Sequence, residues 1–166
     1  MSIDVRLLLL SLAVCLACSV SPSWGAGSGA GGGRGGADAS DLDYQAGMVA
    51  AKVKDWKQVV ARMTAVTQRN PRNADAWNEL GHAYRQLGEM DSSFKNYARA
   101  LQIDPRHKGA HEYMGEAYLQ VGQLELAEQE LKALDWICFV TCEEYRELKE
   151  EIARYKRERM KASTLI

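Results

Sequence analysis

The chain has 166 residues, of which 46% are hydrophobic and 26% are charged, and 21 basic against 22 acidic side chains give a formal net charge of -1. The hydrophobic share is too high for a disordered chain, and the charge balance argues against a nucleic-acid-binding protein. No apolar run reaches the ~18–20 residues of a membrane-spanning helix. These values predict one globular domain, with or without processing segments.

The beginning of the chain has the pattern of a secretory signal. An apolar stretch from Leu7 to Val20 follows a short segment with one arginine, and the small residues Ser23 and Gly25 lie two apart, as signal peptidase prefers. We therefore predict a signal peptide over residues 1–25 and a periplasmic or secreted protein of bacterial type. Cys18 follows Leu and Ala, as in a bacterial lipobox, so a membrane-anchored lipoprotein attached through Cys18 is the alternative.

A glycine-rich segment comes next. Eight of the 14 glycines fall between residues 25 and 36. Such a sequence buries nothing and loses much backbone entropy on ordering, so we predict a flexible linker over 26–39. A phosphate-binding glycine loop would need a strand before it and a helix start behind it, and the sequence pattern predicts neither.

The rest of the chain repeats itself every 34 residues. The matching pairs are Pro71 and Pro105, Trp77 and His111, Leu80 and Met114, Gly81 and Gly115, Tyr84 and Tyr118, and Gly88 and Gly122. Extending the frame backwards places Gly47 at the Gly81 position. A fixed period of this length is the mark of a repeat architecture.

These residues resemble tetratricopeptide repeats (TPR), whose helix–turn–helix unit has this period and a W…L-G…Y…A…F…A…P pattern. The best repeat matches at Trp77, Leu80, Gly81, Tyr84, Gly88, Tyr97, Ala100 and Pro105. The resemblance implies an all-α, right-handed α-solenoid of about three TPR helix hairpins plus a C-terminal capping helix. We place a degenerate repeat at 40–73, repeats at 74–107 and 108–141, and the capping helix at 142–161, so that the TPR domain spans 40–161.

The glycines that recur in the repeat can be explained by backbone geometry. Gly81 and Gly115 lack a Cβ, so the first helix of each repeat should approach the second helix of the same repeat closely. Gly88 and Gly122 fall at the turn, where positive φ is often needed. In the capping helix, four side chains should face inward: Tyr145, Leu148, Ile152 and Tyr155.

The resemblance implies a non-catalytic protein-protein interaction module, an adaptor or assembly factor whose concave groove is lined by the first helix of each repeat. The groove positions in this sequence are Met48, Lys52, Asn78, His82, Arg85, Glu112, Glu116 and Leu119. They mix charge signs with little aromatic surface, which suits an extended polar or mixed peptide. Asn78 and His82 depart from the Lys and Asn of the family's carboxylate clamp, so clamp binding is not expected. We expect no catalytic residues, cofactor, bound metal or nucleic acid.

Two other functions stay open. Cys138 and Cys142 are the cysteines left after signal removal, and oxidising conditions outside the cytoplasm predict a disulfide between them. They could instead serve a thiol-redox or metal-handling accessory protein, with His107 and His111, four residues apart, as further ligands. Alternatively, the chain could be a self-associating structural module in which the degenerate first repeat leaves an apolar edge, so a homo-oligomer is possible.

Overall fold

The computed structural model describes residues 41–164; the predicted signal peptide, the linker and Cys18 lie outside the described residues. The helices are α1 (Leu42–Lys52), α2 (Trp56–Arg69), α3 (Ala74–Gln86), α4 (Met90–Ile103), α5 (Lys108–Gln120), α6 (Leu124–Ile137) and α7 (Glu143–Thr164). No strand occurs within 41–164, and none of the helices found there is long and apolar enough to cross a membrane.

Consecutive helices pair into hairpins that stack along the chain. The helices α1 and α2, α3 and α4, and α5 and α6 form three hairpins, and α2 also packs on α3 and α4 on α5. The last helix, α7, packs on both α5 and α6 and ends at Thr164. The predicted all-α solenoid of helix hairpins with a C-terminal helix is therefore confirmed.

The 34-residue period extends to the helix ends. Asn73 and His107, one period apart, both cap the helix that follows, since Asn73 Oδ1 and His107 Nδ1 accept from backbone N–H groups at 2.9 and 3.1 Å. Gly88 and Gly122 have φ values of +80° and +78°, as expected from their place in the turn. The corresponding residue of the first hairpin is Lys54, which also has positive φ, at 60°.

The helix-interior glycines allow close packing, but against two different kinds of partner. A methyl group at Gly81 would lie 2.5 Å from the ring of Tyr97 on α4, the second helix of the same repeat, as predicted. A methyl group at Gly115 would instead lie 2.6 Å from Leu148 on α7. The helix closest to Gly115 is therefore the C-terminal helix, which the prediction did not include, while α6 also packs on α5.

Two apolar clusters form the core. The first joins α1, α2 and α3 through Ala50, Val59, Met63, Val66, Ala76, Leu80 and Ala83, and the second joins α5, α6 and α7 through Leu119, Ala127, Leu134, Leu148 and Ile152. Tyr145 and Tyr155 pack half-buried against the second cluster. All four α7 side chains that were predicted to face inward therefore do so, and α7 is fixed to the repeats by apolar burial.

Candidate functional site

The predicted groove residues lie on the first helices of the three hairpins. We name the surface formed by α1, α3 and α5 the A face. Four of its predicted residues are almost fully buried: Asn78 and Glu112 are 4% exposed, and Arg85 and Leu119 are 8% exposed. Sequence reasoning had placed these side chains in an open groove. They are covered because α5 packs beside α3 and α7 packs on α5, so a partner can reach mainly their neighbours.

The first hairpin contributes less to this surface than was predicted. Met48 is half-buried and packs against the first core cluster, whereas Lys52 is exposed at the end of α1. Neither residue lines the pocket that contains the predicted residues Arg85, Glu116 and Leu119. The pocket therefore includes three of the eight predicted positions.

An aromatic row crosses the A face. The His82 ring lies between Trp56 and Tyr113, with ring centroids 5.2 and 4.6 Å away. The Arg85 guanidinium lies 5.7 Å from the centroid of the Tyr113 ring, within cation–π distance. The expectation of little aromatic surface was wrong, because Trp56 comes from a second helix and Tyr113 from a slot that the groove pattern does not include.

Burial extends the pH range over which His82 is uncharged well below neutral pH. Burial, with a further contribution from the positive charge of Arg85, lowers the pKa of His82 to about 4. Its Nε2 lies 3.2 Å from the Gln86 amide nitrogen, and because an amide N–H₂ can only donate, Nε2 accepts. Near pH 7, His82 therefore offers a flat neutral ring rather than a cation.

Carboxyl groups gather where α7 meets α5. Burial raises the pKa of Glu112 to about 9, helped by a hydrogen bond with Glu147 and by the negative charges of Glu116, Glu147 and Glu144. Glu112 is therefore protonated at neutral pH and can donate to the Glu147 carboxylate. Burial also raises the pKa of Glu116, although Arg85, whose Nη2 lies 2.6 Å from Glu116 Oε2, opposes the shift.

A polar pocket of about 360 Å³ lies between α3, α5 and α7. Its lining comprises Arg85, Gln86, Glu116, Leu119, Gln120, Glu151, Arg154, Tyr155 and Glu158. Arg154 pairs with Glu151, as Arg85 does with Glu116. The sequence predicted α7 only as a cap with a solvated outer face. Its role as a wall of this pocket was missed, because the repeat pattern does not specify where a cap helix lies against the A face.

The two histidines considered as metal ligands are engaged in structural hydrogen bonds. His107 Nε2 lies 2.9 Å from Asp75 Oδ1, while Nδ1 caps α5. The two ring nitrogens of His111 lie 3.2 Å from the Pro105 carbonyl oxygen and 2.6 Å from Glu130 Oε2. Burial lowers the pKa of His111, but Glu130 and the Pro105 carbonyl outweigh it, so the net pKa is raised. Within residues 41–164, no three His, Cys, Asp or Glu side chains are placed to hold a metal ion.

The cysteine pair joins α6 to α7. The Sγ atoms of Cys138 and Cys142 are 2.00 Å apart and their Cα atoms 5.8 Å apart, the spacing of a disulfide bond. The bond closes a ring of five residues between the two helices. Its position matches a structural link between the last hairpin and the C-terminal helix.

An apolar tip surrounds this disulfide. Trp136 is 81% exposed, and Phe139 and Val140 are also exposed. One period earlier, Gln102 stands at the Trp136 position and Arg106 at the Val140 position. The repeat scaffold therefore accepts polar residues at two of these three places, and sequence reasoning did not single out the tip.

Comparison with known proteins agrees with this architecture. The family model for the tetratricopeptide repeat matches residues 74–107, the α3–α4 hairpin. The α3–α4 hairpin is therefore a tetratricopeptide repeat. No curated protein sequence matches it.

Solved structures extend the comparison to the other hairpins. The TPR domain of Arabidopsis OM64 is 19% identical over 70% of this chain and 96% of its own, with a TM-score of 0.62. A second structure, MamA MSR-1 C2, is 23% identical over 70% of this chain and 61% of its own, with a TM-score of 0.47. The likeness to the first structure shows a shared TPR fold; at this identity it does not identify a partner.

Proposed function

We propose that this TPR protein is a non-catalytic adaptor or assembly factor of the periplasm or cell envelope, which binds an extended segment of a partner protein along the A face. TPR domains are in general protein-protein interaction modules, and residues 74–107 match the family. The observation that carries the proposal is the polar pocket between α3, α5 and α7. It lies beside the aromatic row, because Arg85 lines the pocket and its guanidinium lies 5.7 Å from the centroid of the Tyr113 ring.

The chemistry of the two parts suits a peptide of mixed polarity. The row of Trp56, His82 and Tyr113 offers half-buried, uncharged rings for one apolar or aromatic side chain. The pocket offers amide, carboxylate and guanidinium groups, which match the donors and acceptors of an extended backbone. A few such anchors provide most of the affinity in an interface.

Photo-cross-linking in the native host tests the proposal at matched glutamines. Gln86 and Gln120 are exposed and line the pocket, whereas Gln102 and Gln129 are exposed on α4 and α6. Replacing each in turn by p-benzoylphenylalanine should give a partner adduct from Gln86 and Gln120 but not from the two controls. Adducts from the controls alone would contradict binding at the A face.

Location is tested separately. N-terminal sequencing and mass spectrometry of the protein from fractionated host cells should show a chain that starts after Gly25 or the next residue, in the periplasmic or secreted fraction. A lipid-modified start at Cys18 would establish the lipoprotein alternative. An intact Met1 in the cytoplasmic fraction would contradict export.

A further inference from the structure

The outer face of α1 is apolar and exposed. Leu42 and Val49 are 79% and 62% exposed, and Val53, the C-cap residue that follows α1, is 73% exposed. In the two later repeats, the residues equivalent to Leu42 and Val49 are alanines with 0% exposure: Ala76, Ala83, Ala110 and Ala117. Those alanines lie on α3 and α5, against which the preceding hairpins pack. α1 therefore carries a stacking face that the described residues leave open.

The residues of this face are spaced as in the seam between two paired helices. Leu42, Ala46, Val49 and Val53 follow one another at steps of four, three and four residues, the d-a-d-a order of a heptad. A solenoid normally ends in a polar outer face. The other terminal helix, α7, does so with exposed Arg146, Lys149, Glu150, Lys156 and Arg157.

We propose that this seam binds the same seam of a second copy of the chain, in an antiparallel, two-fold arrangement. The spacing of four, three and four residues between the seam residues is the same in either direction along the chain. An antiparallel pairing therefore places Leu42 opposite Val53 of the second copy and Ala46 opposite its Val49. A small residue then faces a larger one at the centre, and each chain contributes the same patch, as a two-fold interface requires.

Charge along α1 supports this register. In an antiparallel two-fold pair, each flank of the seam faces the same flank of the second copy, so Asp41 lies near Lys52 of the second copy, and the two helix dipoles are opposed. Within one copy, the Asp41 carboxylate already accepts from Arg69 at 2.8 Å. The ion pairs between copies would therefore fix the register more than the affinity, because exposed pairs contribute little.

Other occupants are less well matched. The polar outer face of α7 does not complement an apolar seam, which disfavours head-to-tail stacking of copies. The sequence just before α1 is rich in glycine and offers no apolar stripe. The seam itself is short, since α1 has 11 residues, about 16 Å of helix. Because so short a helix offers little area to bury, we expect a weak dimer that dissociates on dilution.

Sedimentation equilibrium of the exported protein over a wide concentration range tests the pairing. The variant Leu42→Ala, Val49→Ala introduces the alanines of the inner repeats, which favour helix, and should weaken the dimer at least about tenfold. The control Trp136→Gln, Val140→Arg introduces the residues of the preceding repeat at the apolar tip and should leave the dimer unchanged. A wild-type protein that stays monomeric throughout, or a dimer lost only in the control, would overturn the proposal.

Cysteine cross-linking tests the register. A mixture of Ala46→Cys and Val49→Cys proteins should form a mixed disulfide dimer on mild oxidation, because these positions face each other. A mixture of Leu42→Cys and Ala46→Cys proteins should not, because these positions lie about two helical turns out of register. Cross-linked Leu42→Cys homodimers would indicate parallel pairing, and a disulfide to another envelope protein would identify a different occupant; either result overturns the antiparallel dimer.

Discussion

Replacing Glu112 by Gln should stabilise the protein near neutral pH. The pKa of Glu112 lies at about 9 in the folded chain, against an ordinary value of 4.5, so folding at pH 7 requires the uptake of a proton. One pKa unit corresponds to about 1.4 kcal/mol, which sets an upper value of about 3 kcal/mol for this cost. Because the neighbouring carboxylates on α7 can turn towards solvent, we expect Glu112→Gln to gain about 1–2 kcal/mol at pH 7.

The sign of the pH dependence follows from the raised pKa. The stabilising contribution of protonated Glu112 is complete below pH 4.5 and is lost as the pH rises through about 9. Urea unfolding followed by circular dichroism between about pH 5 and pH 8.5 should therefore show wild type losing stability more steeply than Glu112→Gln. Exposed Glu150→Gln serves as the control and should follow wild type. If Glu112→Gln instead destabilises equally at both ends of this range, Glu112 acts as a charged group and the reasoning is wrong.

Three further predictions concern local packing and charge. Gly81→Ala puts a methyl group 2.5 Å from a buried tyrosine ring and should cost about 1–3 kcal/mol in urea unfolding. Gly47→Ala meets mainly the flexible end of Met63, with Arg62 Cβ 3.3 Å away, and should cost clearly less; equal losses would show that the Tyr97 ring can move aside as easily as Met63. Lys54→Gly should raise stability by about 0.5–1 kcal/mol, because Lys54 has a φ of 60°, and a loss would show that this strain is absent. By NMR, His82 should stay neutral down to about pH 5, and Trp56→Ala should raise its pKa towards 6.5; an ordinary pKa in wild type would refute the burial of its ring.

The repeat scaffold was predictable because its residues recur in step. Gly81 is required because two helices approach each other closely there, and Gly88 because its φ is positive. Both positions are occupied by glycine again one period later. Side chains at equivalent positions also make equivalent contacts. Trp77 and His111 are chemically different, yet a ring nitrogen of each lies 3.0 and 3.2 Å, respectively, from the carbonyl oxygen of the proline six residues earlier. Periodic sequence therefore predicts periodic structure.

The candidate site was harder to predict because it depends on where the repeats stop. Glu112 and Leu119 occupy groove slots by sequence, but they are buried because Leu148 brings α7 onto Gly115. No repeat precedes α1 within the described residues, so Leu42 remains exposed at a position that is otherwise buried alanine. A repeat period does not predict which residues cover the first and last repeats. Both surfaces that are proposed to bind a partner lie at these ends of the repeat array.

If the A face binds a partner segment, the affinity for that partner should depend on the residues that line the pocket. The most direct test is the affinity of the partner captured by cross-linking, measured by isothermal titration calorimetry for wild type, Gln86→Trp and Gln102→Trp. Both glutamines are exposed, but only Gln86 lines the pocket. Gln86→Trp should weaken binding at least about tenfold, about 1.4 kcal/mol, while Gln102→Trp should bind like wild type. Unchanged binding by Gln86→Trp, or a loss confined to Gln102→Trp, would contradict partner binding at the A face.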